Sequence, residues 1–407
     1  MESIFSLSVL NGLTVLLPLV TLPYILRVVG AANYGIYSYV YVLIQYLLLL
    51  NAYGFNFSAT KQIAQHRDEL DVVNKIYNAV IACRLILFVV GVVFFMALSP
   101  WLLETPTQKL MFVMGLGVVL GETFNPIWLF QGMEKMRYLT IVNVFSKLIF
   151  TILIFVLIRT ADDYIYIILF NSCGFLLAGV LSLIIARKQF HISFALPTWA
   201  DIKFQFKDGL PLFGSTVGIN LYSNANVFIL KFFVGDAALG VYSAAEKVMK
   251  GLQMLTSPIS QALFPHLGHD FKDKPLLENL NRLKKVSWIY AAIVAFMAIC
   301  GFCFADVLVT VICGKEFIDA VAIVRIMSIV VLVGGMNYLL GVVGLINLNC
   351  QTYFLRAVLI AGVASISFLL LTAHSMGIQA GAWAMSISEC VLFTLVMIKL
   401  LKLKKSK

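Results

Sequence analysis

Twelve apolar runs, each about long enough to cross a bilayer, leave this chain few ways to fold. They cover roughly residues 7–28, 33–54, 76–98, 108–130, 138–158, 163–186, 209–233, 239–264, 286–312, 320–346, 353–373 and 378–401. A hydrocarbon core takes about 20 apolar residues per helix, and backbone polar groups in lipid must be paired within the segment. The runs predict an all-α polytopic membrane protein with twelve transmembrane helices. Only 12% of the 407 residues are charged and mean hydropathy is +0.95, where soluble domains carry about a quarter charged residues. The first run has no charge from Ser3 to Leu26 and no small-residue cleavage site after a short apolar core. It reads as a retained helix and not a signal peptide.

The charges between the runs set an orientation. One set of connections holds Lys61, Arg67 and Lys75; Lys135 and Arg137; Arg187, Lys188, Lys203 and Lys207; Lys272, Lys274, Arg282, Lys284 and Lys285; and Lys399, Lys402, Lys404, Lys405 and Lys407. The opposite set holds Arg27, Lys109, Arg159 and Lys315, nineteen basic residues against four. Basic residues stay on the cytoplasmic side, so both termini are expected there. The formal charge of +10 is then topology and not a nucleic-acid footprint.

A repeat organises the runs. Residues 29–38, VGAANYGIYS, return as VGDAALGVYS at 234–243, a constant offset of 205. Six spans separate the copies, and an even number preserves orientation, which predicts parallel repeats about an axis along the membrane normal. The expected plan is two pseudo-symmetric six-helix lobes around a central cavity: an N-terminal lobe at 1–190, a cytoplasmic linker at 191–208 and a C-terminal lobe at 209–407.

Helical phase marks candidate cavity residues. At about 100° per residue, Tyr34, Tyr37, Tyr41 and Gln45 share a stripe roughly 80° wide. The offset maps Tyr37, Tyr41 and Gln45 onto Tyr242, Glu246 and Lys250, which Gln253 and Ser257 join. Asn220, Asn224 and Lys231 add a further polar face on the seventh span. Unpaired polar groups in hydrocarbon are expensive, so these faces should line water or one another. A bland reading is open for Glu246 and Lys250, whose i, i+4 spacing suits mutual neutralisation. Arg84, Glu122, Lys147 and Glu389 lie deep in other spans and should have partners, while Asp306 and Arg325 lie near span ends and can snorkel.

Pro18, Pro23, Pro126, Pro211, Pro258 and Pro265 should bend or break helices. Gly117 with Gly121, and Gly377 with Gly381, have the spacing of close helix contacts. Of the seven cysteines, Cys83, Cys173, Cys300, Cys303 and Cys390 fall inside spans and read as small buried apolar residues. The Cys300–Cys303 pair lacks further ligands, and His266, His269 and Asp270 read as a polar loop, so no metal site is expected. No Walker sequence is present, which leaves ATP out as direct energy source. The outward loops are too short to hold the acid, base or metal groups of an enzyme acting on lipid-linked sugars, so no catalytic residues are expected.

Three stretches carry a family resemblance: PLVTLPYILRVVGAANYGIYSY at 18–39, NPIWLFQGMEKMRYLTIVNVFSK at 125–147, and LYSNANVFILKFFVGDAALGVYSAAEKVMKGLQMLTSPISQALFPH at 221–266. Together with the twelve-span plan they resemble the Wzx-type O-antigen and polysaccharide flippases of the multidrug/oligosaccharidyl-lipid/polysaccharide exporter superfamily. The resemblance implies a MATE-like fold and a bacterial inner-membrane location. It implies a cargo of undecaprenyl-pyrophosphate-linked repeat units, moved from the cytoplasmic to the periplasmic leaflet by alternating access. On that cargo, Lys250 and Lys231 would attract the pyrophosphate. Asn220, Asn224, Gln253, Tyr37, Tyr41, Tyr242 and Gln45 would meet sugar, with Arg27 and Lys147 as further cations. Glu246, Glu122 and Glu389 are the candidates for binding a coupling ion, H+ or Na+; no other cofactor is expected. A polymerase and a chain-length regulator are partners expected from the pathway. A multidrug antiporter of the same superfamily is the alternative, against which a cationic cavity argues; a passive scramblase is another.

Overall fold

In the computed structural model, residues 2–254, 275–348 and 350–405 are described, apart from the side chains of 2–16, 18, 19, 211, 215–223 and 405. The described residues contain helices and no strands. In chain order these are α1 (Glu2–Ala52), α2 (Phe55–Gln65), α3 (Leu70–Leu102), α4 (Pro106–Thr123), α5 (Ile127–Gly132), α6 (Met136–Leu157) and α7 (Tyr164–Gln189). There follow α8 (Trp199–Leu230), α9 (Asp236–Met254), α10 (Leu276–Cys303), α11 (Ala305–Ile312) and α12 (Ala320–Asn337). A π-helical segment (Tyr338–Leu345) then leads to α13 (Gln351–Met376) and α14 (Ile378–Lys405).

Among the described residues, nine stretches are long and apolar enough to span a membrane. One of them, Val20–Gln65, takes in parts of the first two expected spans; the expected seventh and eighth are α8 and α9, whose charges or undescribed side chains keep them from that count. The twelve-span plan fits this set. Large apolar side chains stand exposed along the helices, such as Val89, Val93, Phe94 and Trp101 on α3 and Trp288, Ile289 and Phe296 on α10. In water such surface would drive association; in a bilayer it is the lipid-facing side.

Helix breaks occur where local chemistry requires them, and not at every proline. Within α1 the helical dihedrals run through Pro18 and Pro23 and fail at Gly30, at φ 73 and ψ 173, a conformation open to glycine. Gly30 is in the first copy of the repeat, and the second copy, at Gly235, immediately precedes α9. The repeated string is therefore a helix-start signal in both halves. Pro126 does break its span, separating α4 from α5. Pro211 sits inside a continuous α8, because that helix starts earlier, at a capping box in which Thr198 and Asp201 satisfy each other's backbone N–H groups. Pro258 and Pro265 lie outside the described residues.

The chain divides into two compact units, 1–220 and 221–407. In the first, α1 packs on α4, α6 and α7, and α4 on α7. Gly117 and Gly121 make the last contact close: a Cβ on Gly117 would meet Ser172 Cβ at 2.8 Å, and one on Gly121 would collide with the Phe175 backbone. The first turns of α8 are pinned to this unit by Tyr53, which stacks on Phe213 at 4.5 Å and meets Phe206 edge-on. In the second unit, α9 packs on α12 and α14, α12 on α10 and α14, and α13 on α14. Gly381 is a close-contact glycine as expected, but Gly377 is a turn residue at φ 55 that ends α13 and has open space around it.

All seven cysteines are free thiols. Cys83 is buried as expected, whereas Cys173 and Cys303 are exposed on their helices.

Candidate functional site

Within the first unit, the tyrosine stripe forms as helical phase requires. Tyr34 is buried and Tyr37, Tyr41 and Gln45 are half-buried. The Tyr37 ring lies 5.8 Å from that of Tyr34 and 5.7 Å from that of Tyr41, the latter stacked at 20°. Asn171 of α7 faces the hydroxyls of both Tyr37 and Tyr41, and Gln45 faces Tyr41. The result is a ladder of aromatic faces and hydrogen-bonding tips at bilayer depth, the surface chemistry that sugars stack and hydrogen-bond on.

Glu122 belongs to a different cluster in this unit. Arg84 is fully buried; its Nη1 donates to the backbone carbonyls of Glu122 (2.8 Å) and Asn125 (3.4 Å), and its Nη2 to Asn56 Oδ1 (2.9 Å). Those carbonyls lie where α4 ends and each also accepts one local N–H, from Asn125 (3.1 Å) and Ile127 (2.9 Å), so the guanidinium completes the cap of a helix C-terminus. Asn125 Nδ2 donates to the Glu122 carboxylate at 3.2 Å, and Ser182 Oγ to Asn125 Oδ1 at 3.0 Å. Arg84 thereby carries a structural task at the α4–α5 break. Lys147 is half-buried on α6, and Arg27 is exposed at the end of the first arm of α1.

The second unit gathers more of the candidates. On α9, Glu246 is buried and its Oε1 accepts from Lys250 Nζ at 2.8 Å. The pair is lopsided: the glutamate side chain is 7% exposed and the lysine side chain 34%. Mutual neutralisation is therefore real, yet about a third of the lysine side chain stays exposed. One turn on, Gln253 Nε2 donates to the Val330 carbonyl of α12 at 3.3 Å. Gly334 of α12 sits between Gln253 and Glu389 of α14: a Cβ there would lie 3.2 Å from Gln253 Nε2 and 3.5 Å from Glu389 Oε2. Asn337, the last residue of α12, is buried and donates to both Glu389 Oε2 (2.6 Å) and the Glu389 carbonyl (2.9 Å). Its Oδ1 is buried with no hydrogen-bond partner. The π-helical segment begins at the next residue, and π-helical turns recur at functional positions. Gln253 and Glu389, distant in sequence, thus meet at one glycine.

Tyr242 is fully buried against Gly381, where a Cβ would fall 2.6 Å from Tyr242 Cε2. Asn226 of α8 faces the Tyr242 hydroxyl and donates to the Gly381 carbonyl at 3.4 Å. Tyr242 is thus a packing residue, unlike its repeat partner Tyr37. Lys231 also departs from expectation. It lies one residue beyond the end of α8, its N–H still bonded to the Val227 carbonyl at 3.3 Å. Its Nζ bonds Asp236 Oδ1 at 2.8 Å with the lysine side chain 8% exposed, tying the end of α8 to the start of α9. Asn224 is half-buried. The side chain of Asn220 lies outside the described residues, as do Ser257, His266, His269 and Asp270. No cluster of metal-ligating side chains occurs among the described residues. Arg325 and Asp306, placed near span ends, are both exposed and pair with each other.

Reading the sequence by stripes missed Asn171, Asn226, Asp236 and Asn337. Each has a visible signal: a lone amide inside an apolar run must find a partner, and Asp236 is inside the repeated string.

The fold and these intramembrane polar clusters define a polytopic helical membrane protein of the MATE-like transporter fold. Its fold matches the inward-facing conformation of a multidrug-resistance MATE-family transporter of the MOP superfamily, with a TM-score of 0.77, 14% identity and 96% of each chain covered. An outward-facing structure of a MATE-family transporter matches with a TM-score of 0.57 and 16% identity, over 97% of this chain and 94% of the other. The family described as "Polysaccharide biosynthesis protein" matches residues 1–269, and the chain belongs to it. Among its relatives, a "putative O-antigen transporter" of Escherichia coli K12 is 28% identical, covering 97% of this chain and 95% of that one. A protein of the same description from Shigella dysenteriae is 28% identical over the full length of both.

Proposed function

We propose that this protein moves undecaprenyl-pyrophosphate-linked repeat units of O-antigen or a related polysaccharide from the cytoplasmic to the periplasmic leaflet of the bacterial inner membrane. The observation that carries the reading is the end-to-end match to two relatives described as O-antigen transporters. The physics of the cargo supports it. A sugar's hydroxyls and a pyrophosphate lose several kcal/mol per unpaired polar group in hydrocarbon. A transporter must offer replacements at bilayer depth while the prenyl tail stays in lipid. Tyr37, Tyr41, Gln45 and Asn171 are such replacements for sugar, and the part-exposed Lys250 for the pyrophosphate. Transport proceeds by alternating access of the two lobes, with both termini cytoplasmic.

Of the three candidate carboxylates, Glu389 is the one we assign to the coupling ion. Glu246 is neutralised by Lys250, and Glu122 sits beside the buried Arg84, so changing either charge strands a cation. Glu389 is held by a neutral amide, and gaining a proton or Na+ there breaks no ion pair. A polymerase and a chain-length regulator are the partners such a flippase would feed.

The test is transbilayer movement of a polyprenyl-pyrophosphate oligosaccharide in vesicles holding the purified protein. Movement by wild type, its loss in Lys250→Ala and its retention in Lys250→Arg are expected. No movement by wild type overturns the flippase reading; full activity in Lys250→Ala overturns the role of Lys250. Movement that is unchanged when the proton and sodium gradients are dissipated makes the protein a scramblase.

A further inference from the structure

A groove of about 450 Å³ runs along the second unit between α10 and α14. Its walls are single helix faces. On α10 they are Leu280, Lys284, Ser287, Trp288 and Ala291, with Asn281 beside them; on α14 they are Phe393, Met397, Leu400, Leu401 and Lys404, in both cases the i, i+4, i+7, i+8, i+11 row that shares one side of a helix. Met336 and Leu340 close it from α12 and the π-helical segment.

The helix directions put its polarity in order. Gly344 lies against Leu283, Gly335 against Tyr290 and Val294, and Gly301 against Ser328, so α10 and α12 run antiparallel. Ser386 Oγ donates to the Ile326 carbonyl and Asn337 to Glu389, so α14 runs in the same direction as α12 and the end of α12 is level with the middle of α14. Lys404, three turns beyond Phe393, therefore falls at the same end as Asn281 and Lys284, while Ala291, Met336 and Phe393 lie at the other. Eleven residues of helix rise about 16 Å. The groove thus offers two ammonium groups at one end and a roughly 16 Å apolar track leading away from them. Neither Lys284 nor Lys404 makes an ion pair among the described residues, and both are exposed. Trp288, 71% exposed, stands at the rim, where amphipathic indoles anchor at a membrane surface.

We infer that this groove is a binding site for one anionic phospholipid, its phosphate between Lys284 and Lys404 and an acyl chain along Ala291, Met336 and Phe393. Charge decides the occupant. An apolar strip alone would accept any lipid, whereas two uncompensated lysines at its mouth favour a net-negative headgroup over a zwitterionic one. A lysine near a membrane surface contributes about fivefold in affinity for anionic lipid. The site is separate from Glu246, Lys250 and Gln253, none of which lines it.

The experiment uses the full chain in vesicles containing phosphatidylglycerol or phosphatidylcholine with brominated acyl chains. Quenching of the Trp288 fluorescence is isolated as the difference from Trp288→Phe. Expected is a preference for phosphatidylglycerol of about tenfold or more, falling to near unity in Lys284→Gln/Lys404→Gln and kept in the double Arg variant. Should the Gln variants fail to fold, raising salt from 0.05 to 0.5 M on wild type replaces them, because a preference of this origin is screened. Equal quenching by the two lipids in wild type overturns the site, as does a preference that survives both the Gln variants and high salt. Displacement of phosphatidylglycerol by an equimolar polyprenyl pyrophosphate overturns it in favour of the carrier lipid.

Discussion

Arg84→Met tests the claim that a buried cation holds the α4–α5 break together. The guanidinium serves three acceptors: the Glu122 and Asn125 carbonyls and Asn56 Oδ1. Methionine fills similar volume and donates nothing. A buried acceptor left without a partner costs about 1–3 kcal/mol. Asn56 Oδ1 loses its Arg84 donor, the Glu122 carbonyl loses the shorter of two bonds and keeps the Asn125 N–H at 3.1 Å, and the 3.4 Å contact adds little, giving roughly 2–4 kcal/mol. Against this, methionine removes the desolvation penalty of a buried ion, which is itself several kcal/mol. The Asn125 carbonyl keeps the Ile127 N–H at 2.9 Å, while the Glu122 carboxylate loses its neighbouring cation, so a net loss of about 3 kcal/mol is expected. For a unit the size of residues 1–220, that is roughly 6–12 °C in Tm at about 2–4 °C per kcal/mol. Thermal unfolding of the purified protein in detergent measures it, and hydrogen exchange should quicken at residues 122–130. Arg84→Lys, which keeps the charge and part of the donor set, should lose less than half as much. A shift under about 2 °C with unchanged exchange would refute the capping argument.

Gly381→Ala places a Cβ 2.6 Å from Tyr242 Cε2 and 2.8 Å from Leu230 Cδ1; overpacking of this kind costs about 1–3 kcal/mol, and Tyr242→Leu in the same chain should recover part of the lost thermal stability. In a cycle of Glu246→Gln, Lys250→Gln and both together, the single Lys250→Gln variant should be the least stable, because it strands the buried carboxylate. The coupling measured in unfolding should be about 1–3 kcal/mol, and additivity would show that the pair does not act as one unit. At the start of α8, Thr198, then Lys75, hold the Asp201 carboxyl below its usual range. A depressed carboxylate stabilises above the unfolded value of 3.8 and loses that contribution as pH falls through the folded one. Wild type should therefore lose Tm below about pH 4 relative to its own value at pH 7 by more than Asp201→Asn does, and equal slopes would contradict the cap.

Much of the candidate site was legible because helical phase is a local property. Tyr37, Tyr41 and Gln45 fall on one side of α1, and Glu246, Lys250 and Gln253 on one side of α9, since every residue in each stripe belongs to one unbroken helix. Phase did not foresee that Lys231 pairs with Asp236, nor that helices continue through Pro18, Pro23 and Pro211. Tyr242 shows a different limit. Its sequence position equals that of Tyr37 in the repeat, yet Gly381 admits it into a tight contact with α14.

The class of protein follows from the apolar pattern: runs of bilayer length compel helices, because lipid supplies no partner for an unpaired backbone group. The sequence also carries the repeat, since two strings at a constant offset start a helix in each half. Which polar groups answer one another is settled by packing in space. Arg84 caps α4, Asn337 holds Glu389, and Gln253 reaches Gly334 across chain separations that no period encodes. Pairing inside a dry interior depends on distance in space, and helix packing sets that distance through glycines whose neighbours lie far away in the chain.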